Sequence, residues 1–241
     1  MSTILITGAS RGIGLATALQ FATPGNTLIL ACKSNIDKLH ELASQLCASG
    51  ITAIPIQADI SDSAEVNRLF DTITAQGLSV DLLINNAGIS YTGLLQDMTD
   101  TEWHTILDTN LSSVFYCCRA VIPMMLRNGS GKIINISSIW GTYGASCEVA
   151  YSATKGAVNS FTKALAKELA PSGIQVNAVS FGFIDTDMNA KLSLEEIQDF
   201  ADSYIPAGRI ATAEEAAEFI YSVSNTGSYC TGQILGFDGG Y

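Results

Sequence analysis

Short apolar runs alternate with longer amphipathic segments along the whole chain. The apolar runs are rich in β-branched residues, and their apolar positions are continuous rather than alternating, which is typical of strands buried on both faces. We predict strands at Ile4–Thr7, Thr27–Ala31, Ala53–Gln57, Leu82–Asn85, Lys132–Ile136, Gln175–Val179 and Gln233–Phe237. Helix-sized segments lie between them. The alternation predicts an α/β fold, in which helices cover both faces of a doubly wound, mostly parallel sheet of seven strands.

The sequence shows no sign of a domain boundary. No change of composition, repeat or low-complexity segment divides its 241 residues, and one compact domain accommodates that length. We therefore expect a single domain over residues 1–241. The segment from about 185 to 209 differs from the rest, because a short helix-like stretch, Leu194–Tyr204, precedes Ile205-Pro206-Ala207-Gly208. We predict that this segment is a lid over a site.

Charge and composition exclude several classes of protein. With 12 Lys and Arg against 23 Asp and Glu, the formal net charge is −11, and the cations are scattered. Nucleic-acid binding needs clustered cations and is not expected. No apolar run approaches the ~20 residues that span a bilayer, and no basic segment of a secretory signal opens the chain, so we expect a cytoplasmic protein without a membrane partner. The six cysteines form no C-x-x-C pair and only two histidines are present, so no metal site or disulfide framework is expected.

A glycine-rich turn follows the first predicted strand and opens a helix. Glycines permit a tight turn and close approach of the backbone to a ligand, and the amino terminus of a helix offers free N–H groups to a pyrophosphate. In this position the turn predicts a dinucleotide-binding site in a Rossmann sheet. The predicted cofactor contacts in the turn are Gly8, Ser10, Arg11, Gly12, Ile13 and Gly14.

The second strand ends without the acid that usually binds the ribose 2′-hydroxyl of NAD. It runs instead into Lys33, which together with Arg11 can clamp a 2′-phosphate, so we predict NADPH/NADP+ as the cofactor. Asp59 and Ile60, after the third strand, are further predicted cofactor contacts. Asp59 is either an acceptor for the adenine amino group or a helix N-cap.

The fourth strand ends in Asn85-Asn86-Ala87-Gly88. Small residues and an amide at this place can lie against the cofactor, while asparagine side chains tie neighbouring strands together. We predict that Asn86, Ala87 and Gly88 contact the cofactor.

A phenol and an ammonium lie four residues apart at Tyr151 and Lys155, on one face of a helix. A nearby cation favours the phenolate, and so lowers a tyrosine pKa from about 10 towards the working range of an acid–base catalyst. Ser138 lies at the carboxyl end of the fifth strand, where open α/β sheets bind ligands, and can donate to a carbonyl oxygen. Asn110, on a predicted long helix, can hold a water or polarise the backbone beside Lys155. These residues are the predicted catalytic group.

Three features resemble, in order and spacing, those of the short-chain dehydrogenase/reductase family over essentially the whole chain. They are the turn Thr7–Gly14, the Asn85–Gly88 element and the tetrad of Asn110, Ser138, Tyr151 and Lys155. The resemblance implies hydride transfer between nicotinamide C4 and a carbonyl carbon, hence NADPH-dependent reduction of a ketone to a secondary alcohol. It implies that Tyr151 protonates the oxygen, Ser138 polarises the carbonyl, Lys155 holds the nicotinamide ribose and lowers the phenol pKa, and Asn110 completes a proton relay. It also implies a homotetramer and cofactor contacts at Gly182, Ile184 and Thr186.

Within that family the chain most resembles bacterial 3-oxoacyl-acyl-carrier-protein reductases, through Gly131–Ser138, Pro206–Arg209 and Thr231–Gln233. This implies a carrier-bound ketone and a role in fatty acid biosynthesis. Two features depart from that group. Phe181-Gly182 replaces the usual Pro-Gly of the nicotinamide loop, which adds an aromatic side chain near the site. Gly129 and Ser172 stand where the group has arginines that dock an acidic carrier at the mouth of the site.

A second subgroup also resembles the chain around Trp140-Gly141 and Gly144–Val149: the reductases of 5-aminopentanone-modified elongation factor P. Glu148 either receives a substrate ammonium or is a glutamate at the start of a helix. Trp140 either lines the substrate pocket or belongs to the core, and Met188 is a predicted substrate contact in the lid. A function of another class, a non-catalytic NADP(H)-sensing protein, is disfavoured because such proteins tend to lose the tyrosine or the lysine.

Overall fold

The computed structural model describes residues 2–189 and 193–241. Within this part of the chain, seven strands form one sheet in the order β3-β2-β1-β4-β5-β6-β7, and every neighbouring pair is parallel. The strands are β1 (Thr3–Thr7), β2 (Thr27–Cys32), β3 (Thr52–Gln57), β4 (Leu82–Asn85), β5 (Gly131–Ser138), β6 (Ile174–Phe181) and β7 (Ile234–Phe237). The predicted fold class is confirmed, and the sheet is parallel throughout its described strands.

Helices cover both faces of the sheet. They are α1 (Gly12–Gln20), α2 (Ile36–Ala48), α3 (Ser63–Ala75), α4 (Asp100–Leu107), α5 (Ser113–Asn128), α6 (Trp140–Tyr143), α7 (Val149–Leu169), α8 (Leu194–Tyr204) and α9 (Ala213–Ser224). Short 3₁₀ turns lie at Leu95–Asp97, Ala170–Ser172 and Asp187–Asn189. The strand order reverses between β1 and β4, and open sheets bind ligands beyond the carboxyl ends of the strands at such a point.

Alternation along the strands divides the interior into two cores. Ile4 and Ile6 of β1 belong to one core and Leu5 to the other, because successive side chains point to opposite faces of a sheet. The first core contains Ala18 of α1, Leu39 of α2 and Ile220 of α9, and the second contains Leu69 of α3, Val121 of α5 and Val158 of α7. Burial on both faces accounts for the continuous apolar runs of the strands.

Two strands differ from their predicted bounds by two residues at the carboxyl end, and four others differ by a single residue. β5 and β6 extend beyond the predicted Lys132–Ile136 and Gln175–Val179. The added residues include Ser137, Ser138 and Ser180, which are buried although they are polar. The apolar pattern therefore ends before the strand does, because hydrogen bonds satisfy polar groups at the buried carboxyl ends.

The predicted helix Leu194–Tyr204 is confirmed as α8, and a capping box from Ser193 and Glu196 closes its amino terminus. Residues 190–192 of the predicted lid lie outside the described residues. None of the helices in the described ranges is both long and apolar enough to cross a bilayer. Over the same ranges, no group of three or more His, Cys, Asp or Glu side chains is placed to hold a metal ion.

Candidate active site

The glycine turn is closed by steric contacts that only glycine permits. A Cβ atom at Gly14 would lie 2.2 Å from the Gly8 carbonyl oxygen, and one at Gly8 would lie 2.9 Å from Ala87 Cα. Gly8 and Gly12 also have left-handed φ values of 67° and 52°. The residue before α1, Arg11, makes no side-chain hydrogen bond to the first turn of the helix. The turn therefore presents an amino terminus without a side-chain cap at the carboxyl edge of β1, as an anion site requires.

Asn86 fixes this turn. Its Nδ2 donates to the carbonyl oxygens of Thr7 at 2.8 Å and Gly8 at 3.2 Å, and the Thr7 hydroxyl accepts from the N–H groups of Asn86 and Ala87. Asn85 meanwhile donates to Asn135 of β5 at 2.9 Å. The asparagines tie neighbouring strands together as expected, and the Asn86 amide is engaged with the turn itself.

Both cations that were predicted to clamp a 2′-phosphate are paired with carboxylates. Lys33 Nζ lies 2.7 Å from Asp59 Oδ2, and Arg11 lies 3.7 Å from Asp187 Oδ2. An open cleft of about 480 Å³ adjoins the first pair. Partial burial would raise the pKa of Asp59, but hydrogen bonds from Lys33 and Ser61 outweigh it, and the pKa is lowered. Sequence reasoning missed Asp187, since nothing local relates it to a residue so distant in the chain.

Asp59 is not a helix N-cap, so that alternative is wrong. Asp62 caps α3 by accepting from the Ala64 N–H, and Asp59 instead accepts from the N–H and hydroxyl of Ser61. Asp59 folds a local turn before the helix rather than closing it. Ile60 is buried in the second core.

Asn110 lies on the predicted long helix, in a π-helical turn, Asp108–Ser112, that joins α4 directly to α5. Its Oδ1 accepts from the Ile89 N–H at 2.9 Å, and its Nδ2 donates to the Ile89 carbonyl at 2.8 Å and to Thr154 Oγ1 at 3.2 Å. The side chain thus joins the loop after β4 to α7. Turns of this kind are frequent at functional sites because they re-aim side chains. Thr154, which precedes Lys155, was not predicted.

Ser138 and Tyr151 meet at the carboxyl end of β5. The Ser138 hydroxyl accepts from the Trp140 N–H at 3.2 Å. Burial raises the pKa of the Tyr151 phenol to about 12, a hydrogen bond with Ser138 lowers it, and the charge of Glu148 raises it. The geometry brings the two predicted catalytic hydroxyls together, and the phenol is the protonated form near neutral pH.

Lys155 is buried on the same face of α7 as Tyr151. Its Nζ donates to the Ile136 carbonyl at 2.8 Å and lies 5.6 Å from the centre of the Tyr151 ring. Burial lowers the pKa of this ammonium to about 8. The expected lowering of the phenol pKa by Lys155 is not found: burial and the charge of Glu148 raise that pKa, and the effect that lowers it comes from Ser138. A Cβ at Gly88 would lie 3.6 Å from Lys155 Nζ, so the two predicted contacts adjoin.

The predicted nicotinamide loop touches the glycine turn. A Cβ at Gly12 would lie 3.4 Å from Thr186 Cγ2, which brings one end of the predicted loop to the phosphate turn. Ile184 is buried and pairs with Ala211, and the Gly182 N–H donates to the Phe237 carbonyl at 2.9 Å. The Phe181 side chain is buried in the first core against Phe237, so it does not add an aromatic surface to the site.

The predicted substrate contacts differ in exposure. Glu148 is half-buried at the start of α7, and burial raises its pKa. It follows Cys147, whose φ of 63° is left-handed. Trp140 is half-buried with its ring against Tyr241, and Met188 is exposed on its 3₁₀ turn.

The family model for short chain dehydrogenase matches residues 2–197 of the chain. This protein is a short-chain dehydrogenase. It is 41% identical over 238 residues to a 3-oxoacyl-[acyl-carrier-protein] reductase of Synechocystis sp., covering 98% of this chain and 95% of the relative. It is 42% identical over 241 residues to the uncharacterized oxidoreductase YmfI of Bacillus subtilis, covering 99% and 98%.

The crystal structure of a short-chain type dehydrogenase/reductase from Mycobacterium marinum superposes with a TM-score of 0.91 at 34% identity, covering all of this chain and 95% of the other. Short-chain dehydrogenases are oxidoreductases that use nicotinamide cofactors. The fold and the family expected from the tetrad are therefore confirmed.

The expectation that Gly129 and Ser172 lie at the mouth of the site is wrong within a single subunit. Gly129 directly follows α5, and Ser172 ends the turn before β6, so both lie at the amino ends of β5 and β6. Ser138 is at the other end of β5, seven residues after Gly131, or about 23 Å at 3.3 Å per residue. These two positions therefore do not flank the mouth of the site in the same subunit.

Proposed function

We propose that this short-chain dehydrogenase reduces a ketone to a secondary alcohol with NADPH, and that the ketone is a 3-oxoacyl thioester. The observation that carries the proposal is the meeting of Ser138 and Tyr151 at the carboxyl end of β5, with Lys155 one helical turn away on α7. A nicotinamide cofactor, when bound, supplies the hydride that adds to the carbonyl carbon.

The described residues fit such a cofactor. The uncapped amino terminus of α1 and the glycines of the turn suit a pyrophosphate, and a Cβ at Gly14 would fill the space they leave. The nicotinamide ribose would lie near Lys155, which adjoins Gly88. Ser10, Ala87 and Thr186 complete the proposed set around the turn and the nicotinamide loop.

Each catalytic side chain then has a distinct role. Ser138 donates to the carbonyl oxygen and polarises it, and Tyr151 transfers its proton to that oxygen as the C–H bond forms. A phenol pKa of about 12 keeps the proton on Tyr151 near neutral pH, which is the form that a proton donor needs. Asn110 holds the loop at Ile89 against Thr154 and so fixes the position of α7, which carries Tyr151 and Lys155.

The charges at the end of β2 support NADPH rather than NADH. Lys33 and Arg11 are exposed and able to reach a 2′-phosphate, and no acid ends β2 to bind a ribose hydroxyl. Asp59 holds Lys33 at the edge of the cleft, and Asp187 pairs with Arg11. The relatives that are named 3-oxoacyl-[acyl-carrier-protein] reductases support the thioester as substrate.

The first test is NADPH oxidation by the purified protein on an acetoacetyl thioester, with NADH in parallel. We expect turnover with NADPH and at least tenfold less with NADH, since a lost charge-assisted phosphate contact costs about 1.5–3 kcal/mol. Turnover that is equal with both cofactors would contradict the choice of NADPH. Binding of NADPH without turnover of any ketone would support the cofactor-sensing alternative instead.

A second candidate substrate is a cationic aminoketone, as on 5-aminopentanone-modified elongation factor P. Glu148 favours this substrate. Its half-buried carboxylate raises the pKa of the Tyr151 phenol through its charge, and it has no ion pair among the described residues. An ammonium there would meet an acceptor close to the reacting carbonyl. Glu148→Gln should then lower turnover of an aminoketone and leave a neutral ketone of the same length unchanged. Equal losses on both ketones would reject this role.

We also propose a homotetramer. Helices α4 and α5 expose large apolar side chains at Trp103, Phe115 and Leu126, which a partner subunit would bury. Light scattering should then give about four times the 25.4 kDa of one chain. A particle of one chain's mass at micromolar concentration would contradict the proposal.

A further inference from the structure

An aromatic row connects α6, which begins two residues after Ser138, to α8. Its rings come from four separate segments: α6, the loop after β6, α8 and the segment after β7. The row consists of Trp140, Tyr143, Phe183, Phe200, Tyr204 and Tyr241. Neighbouring ring centres lie 5.1 to 6.3 Å apart, within the range of favourable aromatic pairs.

Tyr241 is the ring that joins the two halves of the row. On one side it packs edge-on to Trp140, with centres 5.4 Å apart, and lies 5.7 Å from Tyr143. On the other side it stacks on Phe200 of α8, with centres 6.3 Å apart and planes 11° from parallel. Among the described ring pairs, only those of Tyr241 connect α6 to α8.

The backbone before Tyr241 is held in place. The Ala207 N–H donates to the Gly239 carbonyl at 3.0 Å, and the Gly240 N–H donates to Asp238 Oδ1 at 2.9 Å. A Cβ at Gly239 would lie 2.6 Å from Ile205 Cγ2, so this glycine allows the segment to approach the residues that follow α8. The position of the Tyr241 ring therefore follows that of α8.

Trp140 connects the row to the reacting groups. Its backbone N–H donates to Ser138 Oγ at 3.2 Å, so one lone pair of that hydroxyl is occupied. The hydroxyl proton is then directed away from Trp140, towards an acceptor such as a carbonyl oxygen. A displacement of α6 would change the aim of this hydrogen bond.

We propose that Tyr241 is a positioning residue that couples α8 to Ser138 through Trp140. When α8 moves, the stacked ring carries the movement to α6, and the hydroxyl that polarises the ketone is re-aimed with it. Ketone binding under α8 and polarisation of the carbonyl are thereby linked. This role rests on the reduction proposed above, but the ring contacts on which it depends do not.

The test compares Tyr241→Ala with Tyr241→Phe, and with Tyr229→Ala as a matched control, because Tyr229 is a fully exposed tyrosine. All variants carry Trp103→Phe, so that Trp140 is the only tryptophan and its fluorescence reports on α6. We expect Tyr241→Ala to shift the Trp140 emission to longer wavelength and to increase its quenching by acrylamide. Tyr241→Phe should retain the emission of the parent, and Tyr229→Ala should not change it.

Kinetics with the ketone and NADPH give the second readout. Tyr241→Ala should lower kcat/KM for the ketone about 10- to 100-fold, the scale of a reacting group misplaced by about 1 Å, and leave the Kd for NADPH unchanged. Phe200→Ala should have a similar effect, and the double variant Phe200→Ala/Tyr241→Ala should be no worse than either single one. Tyr241→Phe should retain the parent kcat/KM.

The outcomes separate the two proposals. Emission of Tyr241→Ala that equals that of the Tyr229→Ala control would overturn the coupling, whether or not any ketone is reduced. Altered emission with unchanged kcat/KM, or independent losses in the double variant, would overturn the positioning role. Failure of the parent protein to reduce any ketone would instead reject the proposed function and, with it, a role of Tyr241 in that reaction.

Discussion

The adenosine end and the reacting end of the proposed cofactor cleft differ in how exposed their ionisable side chains are to solvent. At the adenosine end, Arg11 and Lys33 have side chains that are 62% and 68% exposed, and each is paired with a carboxylate in a largely aqueous setting. At the reacting end, Lys155 is buried and Tyr151 is half-buried, and burial shifts both pKa values. Solvent screening makes the exposed pairs weak and exchangeable, whereas burial makes each reacting group sensitive to its surroundings.

The largest expected effect is at the reacting end. Tyr151→Phe removes the proton donor and should lower turnover at least 100-fold, within the usual range for loss of a general acid. The Kd for NADPH should remain within about twofold, since the adenosine end is untouched. Steady-state kinetics and cofactor titration measure both. Retained turnover would remove Tyr151 from the mechanism.

The glycine turn is expected to tolerate no side chain at Gly14. Gly14→Ala places a Cβ 2.2 Å from the Gly8 carbonyl and should destabilise the fold by about 1–3 kcal/mol, the usual cost of overpacking. It should also weaken NADPH binding. Gly227→Ala is the matched control, because a Cβ there meets nothing within 4 Å. Denaturant unfolding of both variants checks the difference, and equal midpoints would contradict the steric argument.

The pH dependence of kcat/KM tests whether burial sets the pKa values at the reacting end. With a Lys155 pKa of about 8, the ammonium loses its proton above that pH, while Tyr151 stays protonated to about 12. The kcat/KM for reduction should be level at lower pH and fall about tenfold per pH unit above 8. A level profile to pH 10 would contradict the lowered pKa.

The lowered pKa of Lys155 also affects how the stability of the protein depends on pH. Between pH 8 and 10.5 the unfolded chain binds more protons at Lys155 than the folded protein does, so the contribution of this residue to the free energy of unfolding rises with pH across this window. The buried thiols of Cys117 and Cys118, whose pKa values are raised by burial, contribute with the opposite sign. Lys155→Met should reduce this rise. Lys163→Met, at an exposed position on the same helix, should leave it unchanged.

The smallest expected effect is at the adenosine end. Lys33→Ala should lower the preference for NADPH over NADH about tenfold, because one charge-assisted phosphate contact is lost. Lys163→Ala serves as the control for a change of net charge. The ratio of kcat/KM values for the two cofactors measures the effect, and it should shrink at high salt. An unchanged ratio would place the 2′-phosphate elsewhere.

Local pattern was sufficient for most of the fold. The continuous apolar runs identified every strand, and α8 has the predicted bounds, because strand and helix periods depend on neighbours a few residues away. The bounds of β5 and β6 were too short, since the buried Ser137 and Ser180 read as polar until their tertiary setting is known. The same reason explains why the role of Asp59 stayed open, since its partner Lys33 follows another strand, β2.

The sequence by itself determined the class of fold, the glycine turn and the chemical groups at the site, because these follow from residue type and short spacing. Tertiary structure alone decided that burial, and not Lys155, dominates the pKa of Tyr151. It also decided that Arg11 meets Asp187 and that Tyr241 lies between Trp140 and Phe200. Desolvation and contact depend on distances between residues far apart in the chain, and these exist only once the two cores have packed.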